Sequence, residues 1–182
     1  MREIEIKVRI HDPTATLAAL EKAGVRLSEP KKQHDVVYAR PGAKDNDPGE
    51  NWLRVRTEND QLVTFTLKRS VTGELDSIEH EVIVDNADEI TAIIKYLGYE
   101  LFSDLTKVRR KAKQGDVEIC FDEVPGLGTY MEAEKLCAED VDGLAVEAEL
   151  WEFFASLGLD VDRDDQETSG YDVLMNRLKS VA

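Results

Sequence analysis

Several features of membrane, secreted and nucleic-acid-binding proteins are missing from this 182-residue chain. No apolar run approaches the roughly 20 residues that a transmembrane helix needs, and the first residues enter a predicted strand at once, so we expect neither a membrane span nor a signal peptide. Cysteine is scarce: Cys120 and Cys137 have neither metal-type spacing nor a disulfide framework, which indicates reduced, structural thiols and a cytoplasmic protein.

Negative charge outweighs positive charge in this chain. The chain has 23 Lys and Arg against 38 Asp and Glu, a net charge of −15. Such a surface repels nucleic acids and anionic membranes, so we expect neither as a partner. The length fits one domain, predicted to span residues 1–182.

The opening segment MREIEIKVRI alternates charged and apolar side chains from Glu3 to Ile10. In a β-strand, this pattern places Glu3, Glu5, Lys7 and Arg9 on one face and the apolar residues on the other. A solvated outer face is one interpretation. Two carboxylates two residues apart repel each other unless a cation lies between them, however, which points instead to a polar interior or a metal site.

The Glu-x-Glu pattern recurs twice, each time on a strand that leads into a helix. Glu79 and Glu81 precede a predicted helix that ends before Gly98, and Glu132 and Glu134 precede one near the carboxyl end. Three such units are difficult to explain as a solvated face. The repeat therefore favours the polar interior.

Further alternating segments predict strands over residues 33–39, 51–58, 61–70, 105–113 and 116–124. About eight strands with short connections predict an α+β fold whose antiparallel sheet closes into a barrel, because closure removes exposed edges. The helical units place the apolar strand faces outward against helices and the charged faces inward. The predicted inward set consists of the cations Lys7, Arg9, Arg54, Arg56, Lys68, Lys107 and Arg109 and the anions Glu3, Glu5, Glu79, Glu81, Asp122, Glu132 and Glu134. Mixed signs in one interior suit a polyphosphate carried with a divalent metal.

The order of these motifs resembles that of the CYTH superfamily, the triphosphate tunnel metalloenzymes, which includes class IV adenylyl cyclases and thiamine triphosphatases. The matching segments are EIEIK, LRVR, TLK, EHE, KVR and CFDEVPGLGTYMEAE. The resemblance extends from Glu3 to about Leu174 and is closest to the small CyaB-like members. It implies an eight-stranded antiparallel tunnel surrounded by helices, with a helix at about residues 171–182 that closes the tunnel or mediates dimerisation of a monomeric or homodimeric protein.

The resemblance also implies roles for individual residues. The expected triphosphate-binding residues are Lys7, Arg9, Arg54, Arg56, Lys68, Lys107 and Arg109. The expected ligands of Mg²⁺ or Mn²⁺ are Glu3, Glu5, Asp122, Glu132 and Glu134. Glu5, Lys7 and Lys68 are the expected catalytic residues, supported by Glu79 and Glu81.

Three functions remain open from the sequence: hydrolysis of a linear triphosphate (tripolyphosphate, thiamine triphosphate or a nucleoside triphosphate), cyclisation of ATP to cyclic AMP, and non-catalytic binding of polyphosphate. The full set of carboxylates favours an enzyme. The cyclases of this family carry a His-Phe pair before ExExK that this sequence lacks, and Ser77 replaces a basic residue common in relatives. The polar loop from Pro41 to Asn51, predicted to be mobile, offers no aromatic residue to hold a nucleoside apart from the adjoining Trp52. We therefore expect hydrolysis.

Overall fold

The strands lie close to the segments that the alternation predicts, and a helix follows each of the three strands that carry a Glu-x-Glu pair. The computed structural model describes residues 1–44, 48–73, 75–159 and 161–181. In chain order the elements are β1 (Arg2–Ile10), α1 (Pro13–Lys22), β2 (Lys31–Ala39), β3 (Asn51–Glu58), β4 (Leu62–Gly73), β5 (Asp76–Val84), α2 (Ala87–Tyr96), β6 (Glu100–Gln114), β7 (Val117–Val124), β8 (Gly128–Cys137), α3 (Gly143–Ser156), a short 3₁₀ helix (Arg163–Asp165) and α4 (Tyr171–Val181). Residues 45–47 of the loop predicted to be mobile lie outside the described residues.

The eight strands close into an antiparallel barrel in the order β1, β5, β4, β3, β2, β6, β7, β8, with β8 pairing back to β1. This confirms the predicted α+β fold. The pairing of β1 with β8 sets Glu5 opposite Glu134 and Lys7 opposite Glu132. Residues far apart in sequence thus become neighbours on one inward face, since side chains opposite each other in an antiparallel pair lie about 5 Å apart.

Of the strands given a predicted range, β6 extends furthest beyond it. β6 begins at Glu100, whereas the pattern indicated a strand from Leu105. The extra residues pair with the end of β2, up to Ala39 opposite Glu100, across a register shift between Val37 and Tyr38. A bulge of this kind interrupts strict alternation, which explains why the sequence pattern misses the start of the strand.

The first three α-helices each begin after a capping residue. The side chains of Asp12, Asn86 and Asp142 accept hydrogen bonds from backbone N–H groups in the first turns of α1, α2 and α3. A glycine with positive φ follows each of these helices, as expected for a helix end. None of the described helices is both long and apolar enough to cross a membrane.

The apolar core lies between the outer face of the barrel and the helices. Ile6 and Val8 of β1 pack with Leu150 and Phe154 of α3. A second cluster joins β3 to α2 on another side of the barrel. The apolar faces therefore point outward, as predicted, and the interior is left to the polar faces.

α4 packs against β6. Its Asn176 side chain donates to the Phe102 carbonyl (2.7 Å), and Tyr171 joins Leu105 and Tyr130 in a small apolar cluster. The first turn of α4 consequently reaches the barrel interior.

A buried ion pair fastens β1 to β5. Arg2 Nε and Nη2 donate to the two carboxylate oxygens of Asp76 at 2.6 and 2.8 Å, and Arg2 Nη1 donates to the Val141 carbonyl (2.8 Å) just before α3. Burial disfavours the ionised Asp76, but the hydrogen bonds from Arg2 outweigh it and lower the pKa of Asp76 below its ordinary 3.8. The pair links two strands and the start of a helix.

Asp76→Asn should lower the free energy of unfolding by about 3 kcal/mol, because it leaves the Arg2 charge buried without its partner. The measurement is urea unfolding, with Asp60→Asn as the matched control, since the pair of Asp60 with Lys32 is exposed and should change stability by about 0.5 kcal/mol or less. Because the folded pKa of Asp76 is depressed, its stabilisation is complete above the unfolded pKa and is lost as pH falls through the folded one. The difference between wild type and Asp76→Asn should therefore hold at neutral pH and shrink below about pH 4; a difference that does not depend on pH would contradict this account.

Candidate active site inside the barrel

A cavity of about 380 Å³ fills the barrel interior, and the inward faces of the strands line it. The predicted cations that line it are Lys7, Arg54, Arg56, Lys68, Lys107 and Arg109. The predicted anions that line it are Glu3, Glu5, Glu79, Glu81, Glu132 and Glu134. Twelve of the fourteen residues predicted to face inward are thus brought to one cavity.

The structure does not bring the other two, Arg9 and Asp122, to the cavity surface. Arg9 lies near the end of β1, where its side chain is exposed and donates to the Leu127 carbonyl (3.3 Å). Asp122 is fully buried, and its oxygens accept from Arg109 Nε (2.7 Å) and Lys107 Nζ (3.2 Å). Asp122 therefore lies behind Arg109, and its position suits the holding of that side chain.

Three carboxylates converge at one point of the cavity wall. Ligand oxygens of Glu5, Glu132 and Glu134 all lie within 4.8 Å of one another, because β1 pairs with β8 in the register that sets these residues side by side. Carboxylate oxygens are the donors that hard divalent cations prefer. The donor set fits such an ion, whereas Glu3 and Asp122 are not part of this cluster.

A second group, Glu118, Cys120 and Glu134, shares Glu134 with the first. The Cys120 thiol donates to Glu134 Oε1 (3.2 Å), and burial raises the pKa of this thiol well above its ordinary value. A protonated, buried thiol is a poor ligand for a hard cation. The all-carboxylate cluster is accordingly the better candidate.

Burial and mutual repulsion oppose ionisation in the carboxylate cluster. Burial, with a contribution from Glu132, raises the pKa of Glu5, and burial raises the pKa of Glu134 well above its usual range. Burial likewise raises the pKa of Glu3 to about 7. Glu132 differs, because Arg109 and Lys7 outweigh the effect of burial and hold its pKa well below the ordinary value. A divalent cation would relieve the repulsion among these groups.

The lysines lie between carboxylates. Lys68 Nζ contacts Glu79 and is 3.6 Å from Glu3. Lys7 Nζ is 3.4 Å from Glu132 and 3.8 Å from Glu5. Burial disfavours the charged form of both amines, but these neighbours outweigh burial and raise the pKa of each lysine, so both stay charged.

The arginines of β3 are held by side chains of the adjoining strands. Arg56 makes a two-fold contact with Asp35, with both N–O distances at 2.6 Å. Arg54 Nη2 donates to Thr66 (3.2 Å) and lies 3.5 Å from Glu81. Arg54 Nε is buried and has no hydrogen-bond partner among the described residues. Both guanidinium groups are thus fixed in the cavity wall, where their charge suits an anionic ligand.

Sequence reasoning missed several residues of the site. Asp35 and Glu118 face the cavity and pair with Arg56 and Lys111. Both lie on predicted alternating strands, so strand parity would have found them. Tyr171 and Asp172 of α4 also line the cavity, and the Tyr171 ring lies 4.3 Å from Lys7 Nζ and 4.7 Å from Lys107 Nζ. The resemblance predicted a helix at about residues 171–182, and α4 is that helix. Which of its residues line the cavity depends on how α4 docks, and the sequence pattern does not show it.

Comparisons with known proteins agree with this geometry. The chain matches the CYTH domain over residues 1–169 and belongs to this family, whose members are metal-dependent enzymes acting as triphosphatases or adenylyl cyclases. A protein of Methanocaldococcus jannaschii named "Putative adenylate cyclase" is 29% identical over 163 residues, which cover 89% of this chain and 93% of that protein.

Solved structures show the same fold. A Vibrio parahaemolyticus protein described as "a putative adenylate cyclase" has a TM-score of 0.79 at 18% identity, over 96% of this chain and 97% of its own. A Hippeastrum protein has a TM-score of 0.61 at 20% identity, over 93% of this chain and 91% of its own. The latter is described as a "putative adenylyl cyclase" with "a dominant triphophatase activity".

If the cluster of Glu5, Glu132 and Glu134 holds a divalent cation, the ion should stabilise the fold. At a concentration near a hundred times its Kd, linkage adds about 2.7 kcal/mol and raises the Tm. Glu5→Gln should remove most of this rise. Glu149→Gln is the matched control, since Glu149 is exposed and pairs with Lys135 outside the barrel. A Tm that is indifferent to divalent ions in the wild type would exclude this site.

Proposed function

We propose that this protein is a metal-dependent triphosphatase that hydrolyses a linear triphosphate inside the barrel. The observation that carries the proposal is the meeting of the Glu5, Glu132 and Glu134 cluster with seven cationic side chains, the six predicted ones and Lys111, in one cavity. A ligand that satisfies both sets must be polyanionic and must be accompanied by divalent metal. A linear triphosphate meets both requirements.

The cations are proposed to bind and orient the phosphates. Arg54 and Arg56 present guanidinium groups that acidic side chains of β5 and β2 hold, while Lys68 and Lys107 add point charges from other sides of the barrel. Positioning and charge stabilisation account for most of the catalysis of phosphoryl transfer, so a preorganised ring of cations suffices for much of the rate. Arg9, which lies outside the cavity, is not needed for this grip.

Glu5, Lys7 and Lys68 are the proposed catalytic residues. Lys7 lies between Glu5 and Glu132 and fixes both carboxylates, while Lys68 brings a charged amine to the cavity. Glu79 and Glu81 support the site from β5, where they hold Lys68 and Arg54.

Mg²⁺ or Mn²⁺ is the proposed cofactor, because the cluster offers hard oxygen donors. Glu5, Glu132 and Glu134 would hold the ion, with Glu3 nearby on the same strand face. Asp122, predicted as a ligand, is proposed to act by holding Arg109. When bound, the ion would polarise a phosphoryl oxygen and lower the pKa of water.

An adenylyl cyclase is the second candidate, favoured by the names of the relatives. A cyclase must hold the ribose so that its 3′-hydroxyl reaches the α-phosphorus, which requires contacts to the nucleoside. Val37 and Trp52 provide one apolar stretch of the cavity lining. The cavity is also lined by Leu75, Leu105, Leu136 and Tyr171. Charged side chains nevertheless outnumber these apolar ones in the lining, which favours contacts to a triphosphate over contacts to a nucleoside. The activity described for the Hippeastrum relative also supports hydrolysis.

We place the protein in the cytoplasm, with a small-molecule triphosphate as its partner. Cys120 and Cys137 are free thiols, as suits a reducing compartment.

Lys68→Ala should weaken the binding of tripolyphosphate by about 2 kcal/mol or more. The substitution removes a charge-assisted contact and leaves Glu3 and Glu79 facing the phosphates without a cation between them. Isothermal calorimetry measures the change, and Lys32→Ala is the control because Lys32 is exposed on the outer surface. Equal affinities in wild type and Lys68→Ala would rule out triphosphate binding in the cavity.

A substrate panel separates the two candidate activities. With Mg²⁺ or Mn²⁺, tripolyphosphate should be cleaved with a higher kcat/KM than ATP, since it has no nucleoside to orient. ATP should yield ADP and phosphate with little cyclic AMP, as read by chromatography. Conversion of ATP chiefly to cyclic AMP and pyrophosphate would establish the cyclase in place of the hydrolase.

A further inference from the structure

Arg109 contacts more carboxylates than any other cation described in the barrel. Its Nε donates to Asp122 (2.7 Å), its Nη2 contacts both Asp122 and Glu132, and its Nη1 lies 3.3 Å from Glu134. The side chain is buried, with 6% of its surface exposed, yet it lines the cavity. One guanidinium thus holds three acidic groups.

Two of these three groups belong to the cluster that fits a divalent cation. Glu132 and Glu134 offer ligand oxygens together with Glu5, and Arg109 bonds to the oxygens of the same two residues. A guanidinium hydrogen bond and a metal ion compete for one carboxylate, both for its lone pairs and through the repulsion of two positive charges. Arg109 and a metal ion therefore compete for the carboxylates of Glu132 and Glu134.

Asp122 is outside this competition. It is fully buried behind Arg109, accepts from Arg109 through both of its oxygens and is also bonded to Lys107. An arginine anchored through Nε and Nη2 in this two-fold manner keeps its Nη1 group available for another acceptor. Nη1 is the group that now lies against Glu134.

We propose that Arg109 couples metal binding to triphosphate binding by exchanging Glu132 and Glu134 for phosphate oxygens while Asp122 keeps it in place. A cation that binds Glu5, Glu132 and Glu134 displaces the guanidinium from the last two, and the released N–H groups point into the cavity, where a phosphate accepts them. Each ligand then favours the other, because metal binding supplies the donor that the phosphate needs. The phosphate half rests on the proposed function, whereas the metal half does not.

If the proposal is right, variants of Arg109 should bind the metal ion more tightly than the wild type does. Arg109→Ala removes the rival, and Arg109→Lys keeps a positive charge that cannot hold three carboxylates at once, so it tests the proposal even if Arg109→Ala fails to fold. Calorimetric titration with Mn²⁺, in alkaline buffer and without phosphate, should show affinity raised on the order of tenfold for Arg109→Ala and several-fold for Arg109→Lys.

Arg54→Ala is the matched control for these titrations. It removes another guanidinium from the same cavity, but Arg54 contacts Thr66 and Glu81 and none of the cluster carboxylates. Its Mn²⁺ affinity should stay within about twofold of the wild type. A rise in Arg54→Ala as large as in Arg109→Lys would reduce the effect to total charge and overturn the specific role of Arg109.

The reciprocal experiment uses tripolyphosphate in the presence of EDTA. Glu132→Gln should release Arg109 in part and strengthen metal-free binding of tripolyphosphate several-fold, and this gain should disappear in the Arg109→Lys background. The same gain in both backgrounds would overturn the exchange. Failure of the proposed function gives a different result from failure of the coupling. If the wild type neither binds nor cleaves tripolyphosphate, the proposed function is wrong, but the Mn²⁺ titrations still test the metal half of the proposal. If both Arg109 variants bind Mn²⁺ no more tightly than the wild type, the coupling is wrong even when the protein is an active triphosphatase.

Discussion

Charge pairing inside a closed barrel is the constraint on which the rest of this structure depends. An isolated charge in such an interior costs several kcal/mol, so each buried cation needs an acidic partner. Inside the barrel, each of these cations forms an ion pair with a carboxylate: Arg56 with Asp35, Lys68 with Glu79, Lys7 with Glu132 and Arg109 with Asp122. These pairs keep their own four carboxylates ionised, since the cations lower the pKa of each one below its ordinary value.

The apolar core had to be placed elsewhere, and the helices provide that place. The isoleucines and valine of β1 face α1 and α3, while β3 faces α2. The helices therefore bury the apolar outer faces of these strands. Stability and function thereby use opposite faces of the same strands. The ion pair of Arg2 with Asp76 links β1 to β5, and Arg2 also bonds to the segment just before α3. This pair lies outside the barrel cavity.

The site is asymmetric along the barrel wall. The carboxylates that suit a metal gather on β1 and β8, whereas the arginines with fixed partners lie on β3. Arg109 on β6 stands between these regions, with Asp122 behind it and Glu132 and Glu134 in front. A triphosphate that spans the cavity would meet the metal at one side and the arginines at the other, which is the arrangement that phosphoryl transfer requires.

The sequence by itself determined the local features. Strict alternation located β3 at Asn51–Glu58, and it assigned most of the charged residues to the inward face because strand parity depends on nothing beyond neighbouring residues. The helix caps were equally predictable, since capping involves the first turn alone.

The tertiary structure decided what depends on distant segments. Strand order set β1 between β5 and β8 and so assembled the carboxylate cluster from two ends of the chain. Parity could not show that Arg9 leaves the cavity near its strand end, or that Asp122 is covered by Arg109. The resemblance predicted the helix near residues 171–182, but only the structure shows that its residues Tyr171 and Asp172 line the cavity, because helix placement follows from packing between segments far apart in the chain.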